Sequence, residues 1–396
     1  MKKITITTVV FISILLVGIS LVVFRENNIG KNQLNSKCMV GDFDPTKTRL
    51  STSVEGGGHL SNLYLSITAT SYDNGKDPDG GMTTSTYIYD LETKKLENKR
   101  AGAVEYTSQY PLSVYDKSNN TIYYTASDES GKRDEVFSYN LGTMERKQLT
   151  TELFAVNYIL PYKDNILIVG VKRFERELKP FLLDKSTNKL NSLKTPEGFD
   201  CWTAHYNPIT KKTILQGWIQ SERERLTSEF GYDKKKLKDS GYKLPKTYFY
   251  ELVDNELKLY FEDIYRETEN ISTDLSGNII YADYSYKDIH KIPDGHIRTW
   301  YTWRKGSDKV PAKTDLFSEG STSDYPSEEI TYVSKEFYYL NENTIIFLGY
   351  PRDKNEDSYG IYAYDIKKNE YKTIIESEEE LGGYINNFTL LSKDSL

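Results

Sequence analysis

Thr121-Ile122-Tyr123-Tyr124-Thr125-Ala126, a polar turn, Val136-Phe137-Ser138-Tyr139-Asn140-Leu141, and then Glu145 to Leu149: this stretch decides the fold. It reads as an apolar strand, an aromatic strand closed by an amide, and a short third strand. The pattern returns near the C-terminus. Thr344-Ile345-Ile346-Phe347-Leu348 is followed by a polar loop, Ile361-Tyr362-Ala363-Tyr364-Asp365-Ile366, and Glu370 to Ile375. Self-similarity at a spacing of about 40–50 residues, with several short strands per unit, marks a β-propeller.

Working outward, four further couplets fit. Leu63-Tyr64-Leu65-Ser66-Ile67 goes with Thr86 to Leu91, and Ile166-Leu167-Ile168-Val169 with Pro180 to Asp184. Thr213 to Gly217 goes with Thr247 to Leu252, and Asn278-Ile279-Ile280-Tyr281 with Arg298 to Trp303. Apolar stretches lead the couplets as innermost strands: Tyr110 to Tyr115, Ala155 to Tyr162, Trp202 to Tyr206, Ile271 to Leu275 and Ile330 to Leu340. Polar strands such as Lys94-Lys95-Leu96 and Lys189 to Leu193 suit exposed outer edges. The reading is all-β with six blades, seven being the alternative count, over residues 45–396. Gly383 to Leu391 is a strand with no unit of its own, which is what closing the ring requires.

Met1-Lys2-Lys3 precedes an uncharged run from Ile4 to Phe24. A helix of that length spans about 30 Å of hydrocarbon, and the two lysines would hold its start in the cytoplasm. Residues 1–25 therefore read as a single-pass membrane anchor or uncleaved signal, with the body outside the cell membrane. The rival is a cleaved signal peptide around Gly18-Ile19-Ser20. Residues 26–44 read as a polar linker. Cys38 and Cys201 are the two cysteines, either bridged or unpaired. The charge of −7 comes from 58 acids against 51 bases, interspersed along the chain, with no basic stripe for nucleic acid. The 33 tyrosines suit half-buried pleated surfaces, ring packed and hydroxyl wet.

Common catalytic signatures are missing: there is no G-x-S-x-G, H-E-x-x-H, C-x-x-C or P-loop. His290 and His296 flank a turn-like loop and pose either a metal pair or solvated side chains. Asp73, Asp77 and Asp79, around Asp77-Pro78-Asp79-Gly80-Gly81, pose a Ca2+ loop against plain turn chemistry. No other cofactor is indicated. Trp300 and Trp303 pose an aromatic surface for a ligand against strand packing. Arg223 and Arg225 lie in a charged, partly helical insertion, Ser221 to Lys246, set within the fourth blade as an interaction arm.

Ile271-Ser272-Thr273-Asp274-Leu275-Ser276-Gly277-Asn278-Ile279-Ile280-Tyr281 resembles the S-x-D-G-x-x-I turn of TolB-like and dipeptidyl-peptidase-type six-bladed propellers, with one residue added before the glycine. The resemblance spans Val54 to Leu391 as architecture. It implies either binding of proteins or peptides, or gating of an attached hydrolase, for which the repeats leave no room. The expected function is a membrane-anchored, extracytoplasmic, non-catalytic propeller that binds a peptide, protein or cell-envelope component. The alternative is a propeller enzyme acting on a carbohydrate or lactone.

Overall fold

The computed structural model describes residues 60–72, 82–99, 108, 110–128, 131–230, 239–266, 268–284, 298–306, 310–314, 316–318, 332–350 and 359–393. The chain divides into two units, Met1–Phe43 and Asp44–Leu396, and every described residue belongs to the second. The anchor run, Cys38, Asp73, Asp77, Asp79, His290 and His296 lie outside the described residues. Among the described residues no helix is long and apolar enough to cross a membrane.

The described residues of the second unit form six four-stranded antiparallel sheets, six blades and not seven. Blade 1 holds β1 (Leu63–Tyr72), β2 (Met82–Asp90) and β3 (Leu96–Asn98), and blade 2 holds β4 (Ser113–Asp116), β5 (Thr121–Ser127), β6 (Asp134–Asn140) and β7 (Arg146–Gln148). Blade 3 comprises β8 (Leu153–Tyr162), β9 (Asn165–Lys172), β10 (Lys179–Asp184) and β11 (Leu190–Ser192). Blade 4 comprises β12 (Phe199–Asn207), β13 (Lys212–Ile219), β14 (Lys246–Val253) and β15 (Glu256–Ile264). Next come β16 (Thr268–Thr273), β17 (Ile279–Tyr284), β18 (Arg298–Trp303) and β19 (Ala312–Lys313) in blade 5. Blade 6 has β20 (Tyr332–Asn341), β21 (Thr344–Tyr350), β22 (Gly360–Asp365) and β23 (Glu370–Glu376).

The final strand, β24 (Tyr384–Ser392), pairs antiparallel with β1 and becomes the innermost strand of blade 1. This explains why five apolar leaders serve six couplets: the first blade takes its leader from the far end of the chain. Ile385, Phe388, Leu390 and Leu391 of β24 are all fully buried. A closed ring leaves no unpaired hub strand between first and last blades.

The carboxylate or amide that ends each aromatic strand has a local cause. Oδ1 of Asp90, Asn140, Asp184 and Asp365 accepts backbone N–H groups two and three residues on. The residue four on, Lys94, Met144, Asn188 or Asn369, then takes positive φ and closes the turn. Blade 4 uses a different device, Asp254-Asn255, both at positive φ, as two-residue hairpin turns demand.

Strand polarity divides the propeller into two unlike faces. Inner strands begin where second strands end, as Thr70 opposite Tyr384 and Phe199 opposite Ile219 show. At that face, therefore, the second strands end and the third strands begin, and the described connection 173–178 and the helix that follows β13 lie there. The opposite face receives short hairpins such as 163–164, 208–211 and 342–343. We call these the loop face and the turn face.

Candidate functional site

The inner strands surround the hub, and the hub wall is irregular at its loop-face end for a specific reason. In an antiparallel pair a bulge inserts an extra residue, bends the strand and re-aims a side chain. Five of the six innermost strands carry such a register shift in their first half, the half nearest the loop face. β8 shifts between Leu153 and Ala155 and again between Val156 and Tyr158. β12 shifts around Trp202, and β16 between Thr268 and Ile271. β20 shifts between Val333 and Phe337, and β24 around Asn386.

Amide side chains take part in holding two of these bulges, those of β20 and β24. Asn270, itself fully buried, donates from Nδ2 to the Ser334 carbonyl and, at 3.4 Å, to that of Val333. The blade 6 bulge is thus pinned by blade 5. Asn386 Oδ1 accepts from Thr70 Oγ1 at 2.6 Å.

What the blade 6 bulge presents is Lys335-Glu336. Lys335 reaches across the hub, its Nζ 4.3 Å from the ring centroid of Tyr110 and 5.5 Å from that of Tyr158. Those rings belong to blades 2 and 3, on the far side. Tyr158, His205, Lys335, Glu336, Asn387 and Thr389 line a cavity of about 10 Å³, room for about one water. Glu336 is half-buried as a residue, yet its Oε2 is sequestered without a hydrogen-bond partner, as is Oδ1 of Asn387.

Burial dominates the protonation of this wall. It pushes the Glu336 carboxyl up to about 7, with the Lys335 charge pulling the other way. The imidazole of His205 is pushed down to about 3 by burial and is neutral. That ring lies 4.9 Å from the ring of Tyr338, and its Nε2 is 3.4 Å from Ser272 Oγ. Tyr338 is in turn raised well above the ordinary phenol range by burial. Exposed apolar side chains Phe154, Phe174, Ile264 and Tyr384 sit at loop-face ends of strands or on a loop-face connection.

The insertion in blade 4 forms α1 (Gln220–Phe230). Arg223 packs its guanidinium over Trp218 at 4.8 Å and Trp202 at 5.7 Å, and Nε donates to the Tyr265 hydroxyl at 3.1 Å. Leu226 is buried beneath the helix. So Arg223 clamps the arm onto the blade. Arg225 is exposed, pairing with Glu229 at 2.8 Å and lying over Tyr242. Cys201 is a buried free thiol whose ionisation burial pushes up.

Trp300 and Trp303 do not form a shared surface. Three residues apart on one strand, they face opposite sides of the sheet. Trp300, 3% exposed, packs on Phe317 and Phe337 toward blade 6, and Trp303, 9% exposed, stacks on Phe261 of blade 4 at 4.5 Å. Both are interblade core. Among the described residues no group of three or more His, Cys, Asp and Glu side chains is placed to hold a metal ion.

No family model matches the chain, and no curated protein matches it in sequence. A comparison of folds finds similar solved structures. The β-propeller domain of the trilobed protease from Pyrococcus furiosus is 13% identical, with 79% of each chain covered and a TM-score of 0.45. TolB from Acinetobacter baumannii is 13% identical over 84% of this chain and 67% of its own, with a TM-score of 0.46. A chain of a nidogen/laminin complex is 9% identical over 84% of this chain and 99% of its own, also at 0.46. The six blades expected from the resemblance at Ser272 are present, and TolB is among the solved structures similar to the chain. It is a likeness of fold alone, and the ligands of those proteins are not carried over.

Proposed function

We propose that this chain is a non-catalytic recognition propeller that binds a peptide, a protein or a cell-envelope component at the loop face, around the hub channel. We further propose that the segment Ile4 to Phe24 holds it in the cell membrane with the body outside. The first reading is carried by one observation: five inner strands bulge at the same end, and two of the bulges, in β20 and β24, are pinned by side chains from a neighbouring blade or strand. Bulges cost ladder hydrogen bonds, so a set of them around one opening is the mark of a built surface. The anchoring is supported by the apolar run itself, flanked by Lys2 and Lys3.

A second reading, a propeller enzyme for a carbohydrate or lactone, draws on Glu336, since a carboxyl group titrating near 7 suits general acid–base work. Against it, Glu336 is the single carboxylate lining that cavity. The test uses the full-length chain in detergent to select from a displayed random-peptide library. Selected peptides should bind saturably, bind less tightly to Asn270→Ala, and remain uncleaved. Glu336-dependent breakdown of a polysaccharide or lactone, with no peptide selected, would establish the enzyme instead.

A further inference from the structure

A cation already occupies the hub. The bulge in β20 sends Lys335 across the channel onto the rings of Tyr110 and Tyr158, the geometry by which aromatic faces hold an ammonium group. Yet two acceptors on the same cavity wall stay unsatisfied. Glu336 Oε2 and Asn387 Oδ1 lack hydrogen-bond partners, and Asn387 is only 6% exposed. Buried acceptors of this kind are normally paired. The ring faces, the carboxylate and the amide oxygen together have the chemistry of a site for a group with positive charge and several N–H donors.

The present occupant shows which kind of cation the place holds. With Lys335 in position the free space beside the two acceptors is about 10 Å³, room for about one water, and a quaternary ammonium would offer neither acceptor an N–H donor. A divalent metal ion wants a shell of hard oxygen ligands, and the wall offers one carboxylate and one amide. A primary ammonium needs less. Three N–H donors can meet Glu336 and Asn387 while the charge rests against an aromatic ring.

We propose that the hub is a primary-ammonium site, filled in the free chain by Lys335, and that the partner's own ammonium group takes its place. The donor chemistry is shared by a lysine side chain and a free peptide N-terminus. This deepens the reading of the loop face as a recognition surface and rests on it. Exchange of one ammonium for another leaves the charge at the hub unchanged and returns the Lys335 side chain to solvent, where it regains rotamer freedom. Affinity then comes from the acceptors that Lys335 leaves unpaired and from contacts on the surrounding rim.

The experiment is chemical rescue on the full-length chain in detergent. Lys335→Ala empties the site. Thermal melting is followed with and without n-propylammonium chloride, using n-propanol, tetramethylammonium and calcium chlorides at matched ionic strength as comparators. The inference predicts that n-propylammonium raises the melting temperature of Lys335→Ala saturably and leaves the parent chain unmoved, while the comparators do neither. Lys335→Ala with Glu336→Gln should need at least tenfold more n-propylammonium for the same shift. A shift equal with n-propanol, a stronger response to calcium, or no rescue of a folded Lys335→Ala chain would overturn it. Should Lys335→Ala fail to fold, Lys335→Met is melted in the same way under the same predictions. Peptides from the library selection give a separate readout. If N-acetylated, lysine-free peptides bind as tightly as their free-amine forms, the ammonium site is wrong while the recognition surface stands.

Discussion

Thr70 and Asn386 share a hydrogen bond of 2.6 Å across 316 positions of sequence. It joins the first strand of the ring to the last, and it lands on the residue where β24 bulges. Closure of the ring and the shape of the channel mouth are therefore parts of one arrangement.

Removing residues 383–396 should abolish cooperative folding of the propeller. β24 buries Ile385, Phe388, Leu390 and Leu391, and each side chain is worth about 1.5–3 kcal/mol by burial. Their sum rivals the whole stability of a typical domain, about 5–15 kcal/mol. Phe388→Ala is the gentler probe, with an expected loss of about 3–5 kcal/mol in denaturant melts. A truncated chain that melts like the parent would show that the ring closes elsewhere.

Arg266 should be the costliest single surface-proximal residue between blades 4 and 5. Its guanidinium donates to Asp263 at 2.5 Å and Asp283 at 3.2 Å, and lies 3.8 Å over the Tyr301 ring, while Tyr281 donates to Asp263 at 2.6 Å. Arg266→Ala leaves two largely buried carboxylates facing each other, an expected loss of about 3–5 kcal/mol. Arg266→Lys should recover part of it, since an ammonium keeps the charge but not the fork. Equal losses for both would mean that stacking on Tyr301, rather than charge, holds the joint.

The blade, turn and closure pattern was legible because its causes are local. An aromatic strand ended by Asp90, Asn140, Asp184 or Asp365 makes the same turn in those four copies, and a strand left over at the end announces closure. The channel was not legible. Lys335 meets Tyr110 and Tyr158 only through the ring, and a bulge depends on register against a partner strand, which a single strand's composition does not carry. For Trp300 and Trp303 the packing alternative holds for a related reason: both are conspicuous, but their odd spacing sends them into two different interblade cores. Arg223 looked like a free charge on a polar helix, and nothing in the sequence of the insertion announces the tryptophans beneath it.

Replacing residues 221–245 by a short Gly/Asn turn should cost more stability than the charged composition of the arm implies. Arg223→Ala isolates the clamp, with an expected loss of about 1–2 kcal/mol from the ring contacts and the bond to Tyr265. Arg225→Ala, by contrast, should be near neutral, as exposed i,i+4 pairs are worth only a few tenths of a kcal/mol. Thermal melts of the two variants check the order, and a larger loss for Arg225→Ala would place the anchor of the helix wrongly.

Two channel groups should respond to pH in opposite senses. Glu336 is raised from 4.5 to about 7, so between those values the native chain holds more protons than the unfolded one, and its contribution to stability grows as pH falls. His205 is lowered from 6.5 to about 3, so in that window the unfolded chain holds more protons, and stability is lost as pH falls. Glu336→Gln should therefore melt above the parent most clearly at pH 8, with the difference shrinking toward pH 4.5. A difference that does not vary with pH would remove Glu336 from this role.

The proposed topology is checked by adding protease to intact cells. The body should be digested while a small N-terminal fragment stays with the membrane; a soluble mature chain beginning near Leu21 would show cleavage instead.

The recognition surface itself is tested most directly by amide hydrogen exchange on the full-length chain with a selected peptide bound. Slowed exchange is predicted in the first halves of β8, β12, β20 and β24, around Val156, Trp202, Glu336 and Asn386, with the turn face unchanged. Slowing confined to the turn-face hairpins at 163–164, 208–211 and 342–343, with the bulged strands exchanging as before, would contradict the account.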